Sequence, residues 1–295
     1  MRELLRLGLT VVLHARIGMV ARHFGGCIFC SERGSGEHLA FETSIENQVK
    51  NYFSSYRAAR ANKFILYFQN FSNTYDSLEK LKMKYDTALN TASQVIQEEK
   101  LSKEIVGLDI ATRPDCINEE ICKLLASYQE NYHVSVELGL QTANDATGSL
   151  INRGYSSKDF TCAVSLLNQY GIDVIAHIMV GLPNETHDDI ANTVHFLNQH
   201  DIQGIKIHST YVVKNTALCK LYEEKKYSPI TLGEYLEEVT YIITHMNPNI
   251  VIHRISGDAP KELLVGPEWN LHKKLVMNGI FNRFEKENLW QGMWY

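Results

Sequence analysis

The chain has 295 residues, of which 44% are hydrophobic and 21% charged, and its formal net charge is −5. This is the composition of an ordinary globular protein, and the length suits one large α/β domain or two smaller ones. The acidic balance argues against a general electrostatic attraction to nucleic acid or to an anionic membrane, and no apolar run reaches the roughly 18 residues of a membrane span.

The beginning of the chain resembles a short signal segment, because charged residues precede an apolar run over residues 7–13. No small-residue cleavage site follows, so we expect no secretion. The chain has six cysteines, namely Cys27, Cys30, Cys116, Cys122, Cys162 and Cys219. Only the first two are closely spaced, and core packing is the default interpretation of the others. This usage fits a reducing cytoplasm better than a disulfide framework.

From residue 63 onward, short apolar runs alternate with amphipathic runs. The predicted strands are 63–69, 105–113, 134–141, 173–180, 204–213 and 251–255. The predicted helices are 75–92, 118–129, 158–170, 185–199 and 231–245. Asn118 is expected to cap the second of these helices, with Glu119 and Glu120 in its first turn.

This alternation predicts βαβ units and a parallel sheet. About six such units favour an α/β fold of the TIM type, a full or partial (β/α) barrel. Residues 258–295 are less regular and are expected to form a C-terminal extension packed on the barrel.

The sharpest local motif is the pair Cys27 and Cys30, preceded by Gly25 and Gly26. Two thiolates three positions apart can bind one metal centre, and glycines let the backbone approach a cluster closely. A structural zinc site would need a second Cys/His pair, and none is evident. A dithiol redox motif would open a helix, whereas a loop follows here. The motif alone leaves these three interpretations open.

In (β/α) barrels the chemistry lies at the carboxyl ends of the strands. Glu137 and Gln141 share one face of a predicted strand, so they suit hydrogen bonds to a ribose or an amine, or equally a buried polar pair that serves the fold. Thr112 begins a polar turn at the end of a predicted strand. This turn could belong to the site or could be an ordinary structural turn. Arg153 suits a carboxylate of the protein or of a ligand, or a surface position. Leu182 lies in an apolar turn that could contact an adenine ring or be an ordinary connection.

Three histidines, at positions 177, 208 and 253, fall on predicted strands. A single strand histidine is more often a satisfied core residue than a ligand. These three are therefore left without a functional role.

Seven segments together resemble the YhcC-like proteins of the radical S-adenosylmethionine (radical SAM) superfamily. They are YFQNFSNTY (67–75), ATRPDC (111–116), VELGLQTANDAT (136–147), INRG (151–154), HIMVGLPNET (177–186), GIKIHSTYVVKNT (204–216) and HRIS (253–256). The resemblance extends from about Gly25 to about Gly257. It implies a radical SAM core domain over residues 25–257 that folds as a partial (β/α) barrel.

The resemblance also implies cofactors. In this family three cysteines hold a 4Fe–4S cluster, S-adenosylmethionine chelates the fourth iron, and one electron cleaves it to methionine and a 5′-deoxyadenosyl radical that abstracts a hydrogen atom. Cys27 and Cys30 match the second and third cluster ligands. Gln69 lies where many superfamily members have a Gly-Gly-Glu strand end that touches the methionine amine. Five further residues lie at or near strand ends that usually line the cofactor, and their roles are inferred from position alone: Thr112, Glu137, Gln141, Arg153 and Leu182. The implied partners are an unknown substrate and an electron donor such as flavodoxin or ferredoxin.

The chain departs from the family at the first cluster ligand. That cysteine lies in a segment resembling GFTCPNRDG, about a dozen residues before Gly-Gly-Cys, whereas residues 11–20 read VVLHARIGMV here and no cysteine precedes Cys27. Synonymous codons for this stretch, read two nucleotides later, encode GFTCPNRDG. We therefore hypothesise that residues 1 to about 20 of an atypical segment over 1–24 are translated out of frame. Replacement of the cysteine by His14 is the alternative.

Two functions of different class follow. The first is a radical SAM enzyme with an unknown substrate. The second is a catalytically inactive barrel that binds a ligand or a protein, since two thiolates would hold a cluster poorly. A zinc-binding module is a weaker third interpretation, which metal analysis would separate from the other two.

Overall fold

The computed structural model describes residues 4–9, 26–31, 44–257 and 259–295. The strands are β1 Leu4–Leu9, β2 Lys63–Phe68, β3 Glu104–Thr112, β4 His133–Gln141, β5 Asp173–Val180, β6 Gly204–Ser209, β7 Val212–Val213, β8 Val251–Arg254 and β9 Leu264–Gly266. The α-helices are α1 Ile45–Phe53, α2 Leu78–Glu98, α3 Glu119–Ala126, α4 Asp145–Leu150, α5 Ser157–Gln169, α6 His187–Asn198, α7 Ala217–Glu223, α8 Leu232–His245 and α9 Lys273–Glu287.

Seven of the strands form one sheet in the order β1-β2-β3-β4-β5-β6-β8, and every neighbouring pair is parallel. The sheet curls into a half-barrel. Among the described residues, β1 and β8 are its two edges and do not pair with each other, so the barrel does not close. The carboxyl ends of all seven strands meet at one edge. The predicted fold class, a partial (β/α) barrel, is confirmed.

Alternation along the strands separates two faces. On β2, Phe64, Leu66 and Phe68 belong to the main core beneath the helices. Tyr67 points the other way, because side chains in a strand alternate with period two. The same rule applies on β6, where Ile205 and Ile207 enter the core. We call the face that the helices leave uncovered the inner face. Its side chains, unlike those of the core face, are largely polar.

Local signals fix where several helices begin. The Asn118 side chain accepts from the Ile121 N–H at 2.9 Å, as the sequence predicts. α5, α6 and α8 each begin with a capping box, in which Ser156, Thr186 and Thr231 pair with an acidic residue three positions later. Such reciprocal hydrogen bonds satisfy two amide groups that a helix start otherwise leaves unpaired.

Two regions and one residue differ from the sequence prediction. The predicted strand over 204–213 is two strands, because β7 leaves the main sheet and pairs antiparallel with β9. The region after residue 260 is more regular than predicted, since α9 has 15 residues and places Val276 and Ile280 in the main core. Cys162 is exposed on α5 and is not packed in a core, because it lies on the helix face opposite Phe160 and Val164.

The N-terminal strand was also absent from the prediction. β1 pairs with β2 over six consecutive residues, from Leu4 opposite Lys63 to Leu9 opposite Phe68. The main sheet thus includes residues 4–9 of the segment that the sequence analysis set apart over 1–24. Residues 11–20, which carry the alternative reading frame, and His14 lie outside the described residues, so the hypothesis about their translation stays a prediction.

Candidate active site

Cys27 and Cys30 stand in a tight turn at the carboxyl-end edge of the sheet. The Cys30 N–H donates to the Cys27 carbonyl at 3.0 Å. Backbone hydrogen bonds link Ile28 on one side to Ile151, after α4, and on the other to Leu218 of α7, at 3.1 and 2.9 Å. These contacts fix both cysteines relative to the barrel.

A side chain completes this attachment. Asn152 donates through Nδ2 to the Gly26 carbonyl at 2.7 Å. Asn152 has a left-handed backbone with φ of 55°, which Asn tolerates better than most residues. Ile28 and Phe29, between the two cysteines, pack against a small core that includes Val212 and Leu218. The middle of the motif is therefore an apolar anchor, and its ends carry the thiols.

The Cys27 thiol lies in a positive environment. A hydrogen bond with Cys30 lowers the pKa of Cys27 and outweighs the opposing effect of burial, and the charges of Arg113 and Arg153 lower it further. A thiol with a lowered pKa is more readily a thiolate, which is the form that binds metals. The electrostatics of the turn thus suit a metal-bound cysteine.

Arg113 and Arg153 are held by Tyr155 and by carboxylates. Their guanidinium groups lie 4.8 and 5.1 Å from the centre of the Tyr155 ring. Arg113 makes a two-pronged ion pair with Asp115, both contacts at 2.9 Å. The predicted polar turn at the end of β3 is therefore fixed by this ion pair.

Arg153 is fully buried and bonded to the protein. It donates to the carbonyls of Leu140, Thr142 and Tyr155 at 2.5–2.9 Å and to Asp145 at 2.6 Å. Four of its five N–H groups are thus used within the chain. In this structure Arg153 holds the end of β4 against α4, and it is neither a surface arginine nor open to a ligand carboxylate.

Gln141 lies at an irregular end of β4. Its φ is 60°, and the pairing of β4 with β5 shifts between Gly139 and Gln141. The Tyr155 hydroxyl lies 2.8 Å from Gln141 Oε1 and 2.9 Å from the Gly139 carbonyl. A Cβ at Gly139 would stand 2.6 Å from Gln141 Nε2. Gln141 and Arg153 are therefore brought together beside the cysteine turn, whereas Glu137 lies deeper in the barrel.

Glu137 is the centre of a buried group on the inner face, which we call the inner-face cluster: Tyr67, Glu137, His177, Lys206 and His208. The Tyr67 hydroxyl donates to Glu137 Oε2 at 2.5 Å, and His177 Nε2 lies 2.6 Å from the same oxygen. Lys206 forms an ion pair with the other oxygen and lies 4.5 Å from the centre of the Tyr67 ring. Glu137 thus has the partners that a buried carboxylate requires.

Burial opposes ionisation of Glu137, but the opposing effects of His177 and Lys206 are larger together, and the pKa of Glu137 lies well below its ordinary value. Burial also lowers the pKa of His177, despite the nearby carboxylate. We therefore assign the charge pair to Glu137 and Lys206.

The other predicted positions lie on further strand ends. Gln69 follows β2 and is half-buried. Thr112 ends β3, and its hydroxyl lies 2.6 Å from the Thr74 hydroxyl, which itself donates to the Cys116 carbonyl. Leu182 is buried in the turn after β5. That turn is covered by Tyr227, whose hydroxyl donates to the Gly181 carbonyl at 2.7 Å.

Sequence reasoning missed Tyr67, Tyr155, Asn152 and the role of Lys206, and it left the histidines unassigned. Lys206 could have been found, because a lysine between Ile205 and Ile207 in a predicted strand must face away from the core. Tyr155 and Asn152 carry no comparable signal, since their roles come from contacts distant in the chain.

The donor set can be compared with a cluster held by three thiolates. The Cys27–Cys30 turn supplies two thiols, and within the described residues no group of three or more His, Cys, Asp or Glu side chains could hold a metal ion. The remaining cysteines are 116, 122, 162 and 219, and all four lie in the described part of the chain. The described residues therefore fit two of the three positions and do not complete the site.

Comparison with protein families gives two matches. Residues 24–197 match the radical SAM superfamily, and residues 202–286 match the radical SAM C-terminal domain. Together they span the cysteine turn, the sheet from β2 onward and α9. No helix of the described residues is long and apolar enough to cross a membrane.

Relatives match over most of the chain. It is 34% identical over 284 residues to the uncharacterized protein YtqA of Bacillus subtilis, covering 95% of this chain and 84% of that protein. It is 33% identical over 258 residues to protein YhcC of Escherichia coli K12, covering 86% and 78%. Among solved structures, archaeal Elp3 from Methanocaldococcus infernus has a TM-score of 0.74 at 18% identity, over 98% of this chain and 64% of that one. The last likeness concerns the fold alone.

Proposed function

The chain belongs to the radical SAM superfamily, as its sequence resemblance predicted, and from this we propose that its site is built for the reductive cleavage of S-adenosylmethionine, with a substrate that is unknown. In this superfamily the 4Fe–4S cluster, when bound, supplies the electron for that cleavage. The observation that carries the proposal is the cysteine turn, which is fixed at the carboxyl-end edge of a half-barrel next to two arginines.

The chain's own residues would act as follows. Cys27 and Cys30 would bind iron, and Asn152 would hold their turn in place. Arg153 and Tyr155 would keep Gln141 and the end of β4 in position for the cofactor. Glu137 is already bonded to Tyr67 and His177. It would therefore not contact the cofactor directly, but would order the inner-face cluster that borders the cofactor pocket. Gln69, Thr112 and Leu182 are proposed as lining positions, and Arg153 as a positioning residue. An electron donor such as flavodoxin or ferredoxin, and a cytoplasmic location, belong to the same proposal.

A second function is favoured by the incomplete donor set. Without a third thiolate, the barrel as written would bind a ligand or a protein without chemistry. A zinc site at the two thiols is a weaker third candidate, for which four ligands would be needed.

Anaerobic reconstitution with iron and sulfide separates these functions. The enzymatic function predicts about four irons per chain, and 5′-deoxyadenosine after addition of dithionite and S-adenosylmethionine. Both should be lost in Cys30→Ser and kept in the control Cys162→Ser, which alters an exposed cysteine on α5. Little iron and no deoxyadenosine in the parent chain would instead favour the inactive barrel, and bound zinc would favour the third candidate.

A further inference from the structure

One atom of the inner-face cluster lacks a hydrogen-bond partner. His208 Nε2 is buried, and no partner for it lies among the described residues. Leaving a buried polar atom unpaired costs stability, so such an atom calls for an explanation. His208 as a whole is partly accessible, unlike the adjacent core residues Ile207 and Ile205. The ring therefore borders the open part of the half-barrel.

The surroundings of His208 follow from the register of the sheet. Its ring lies 5.1 Å from the ring of His177, on the neighbouring strand. His177 pairs with Lys206, and Lys206 pairs with Arg254 of β8. Partners in a parallel ladder point to the same face, so these three side chains form a row across the inner face. His208 stands one step from this row toward the carboxyl ends.

The charges that act most strongly on His208 are positive. The effects of Arg254 and Lys206 are each larger than the opposing effect of the Glu137 carboxylate. Lys206 and Arg254 contribute two positive charges. Burial and the neighbouring cations hold the pKa of His208 well below its ordinary value, so its ring is neutral.

A neutral imidazole in a positive field favours one kind of ligand atom. With a proton on Nε2, His208 donates a hydrogen bond, and the field stabilises an acceptor that carries negative charge. Such an acceptor would also satisfy the buried nitrogen.

We propose that His208 receives an anionic oxygen of the substrate, from a carboxylate or a phosphate group. That the anion belongs to a substrate rests on the proposed function, whereas the anion site itself rests on the unpaired nitrogen and on the charges of the inner face. The proposal goes beyond the radical SAM assignment because it gives the substrate a chemical class, a molecule with a carboxylate or a phosphate group.

The test uses the full chain, without iron, and NMR signals of its imidazole nitrogens. The chain is titrated with phosphate, acetate and neutral acetamide. The His208 signal is expected to shift and saturate with phosphate or acetate, and not with acetamide. His195, which is exposed on α6 and contacts Gln199, is the internal reference. Saturation by only one anion would identify the source as phosphate or carboxylate. No saturation with either, or an equal response to acetamide, would overturn the proposal.

Two variants sharpen the result. His208→Leu should weaken anion binding by about tenfold or more, because a hydrogen bond to a charged group is lost. The same variant should be at least as stable as the parent, since its unpaired nitrogen is gone, and His195→Leu should leave anion binding unchanged. Unchanged binding in His208→Leu would contradict the assignment.

A third arm separates substrate from cofactor. S-adenosylhomocysteine, which has its own carboxylate, should leave the anion response of His208 intact. Competition would mean that His208 holds the cofactor carboxylate, and the substrate assignment would be wrong. Because no arm needs iron or turnover, failure here is distinct from failure of the proposed function.

Discussion

At the scale of single residues, Glu137 and Lys206 form an ion pair that is buried in the inner-face cluster. Both side chains are almost fully buried, at 0% and 8% exposure. Removing one member of such a pair leaves an uncompensated charge away from water, which costs far more than a surface pair contributes. The inner-face cluster is thus held together by electrostatics in a place where most domains use apolar packing.

The Lys206→Met variant is predicted to lower the free energy of unfolding by about 3–5 kcal/mol at pH 7. The matched control is Lys63→Met, whose partner Glu104 lies at the surface. That change should cost less than about 1 kcal/mol. Chemical denaturation of both variants measures the difference, and equal losses would mean that Glu137 has another adequate counter-charge.

Glu185 provides a prediction about pH. Burial is the main cause that raises its pKa from 4.5 to about 7, against a hydrogen bond from Thr142 that lowers it. Since the folded pKa lies above the unfolded one, this group contributes stability below about pH 4.5 that is lost as the pH rises through about 7.

In Glu185→Gln the side chain cannot ionise, so the variant does not lose stability in this way as the pH rises. Between pH 5 and pH 8, the stability of the variant relative to the parent should rise by about 2 kcal/mol. Urea denaturation at the two pH values measures it. A relative stability that does not change with pH would show that Glu185 ionises normally in the folded chain.

At the scale of elements, the cysteine turn depends on its neighbours for its position. Asn152, after α4, holds the backbone of the turn through its side-chain amide. The turn therefore moves with the end of β4, to which Arg153 is bonded.

Asn152→Asp tests this attachment, because it keeps the shape and the left-handed backbone but replaces the N–H donor with an oxygen. The Ile28 amide, which is bonded to Ile151, should exchange with solvent about tenfold faster. Asn184→Asp is the control, since Asn184 is exposed and also has a left-handed φ of 60°. If the Ile28 amide kept its protection, the backbone bonds alone would hold the turn.

The sequence predicted six of the seven strands of the main sheet and five of the helices, because each carries its own period and end signals. β1 escaped prediction since its register is set by β2. β7 escaped because its partner β9 lies some 50 residues later in the chain. In the site, the cysteines and Glu137 were visible as unusual residues, whereas the contacts of Arg153 with the carbonyls of β4 were not. Burial of an arginine depends on a pocket built by distant residues.

At the scale of the whole molecule, the fold and the ligand set disagree. The half-barrel, the cysteine turn and the matched relatives are those of the radical SAM superfamily, but the chain supplies two thiols where the family uses three. Residues 4–9 join the main sheet through β2. That residues 1 to about 20 are translated out of frame stays a prediction, which the nucleotide sequence of this stretch would decide.

The most direct measurement compares the chain as written with a chain whose residues 11–20 are replaced by the segment GFTCPNRDG. Both are reconstituted with iron and sulfide, and iron and 5′-deoxyadenosine are quantified after addition of dithionite and S-adenosylmethionine. We expect the restored chain to bind about four irons, and to form deoxyadenosine at a higher rate than the chain as written. A restored chain with neither iron nor deoxyadenosine would contradict the proposal that this barrel is built to cleave S-adenosylmethionine.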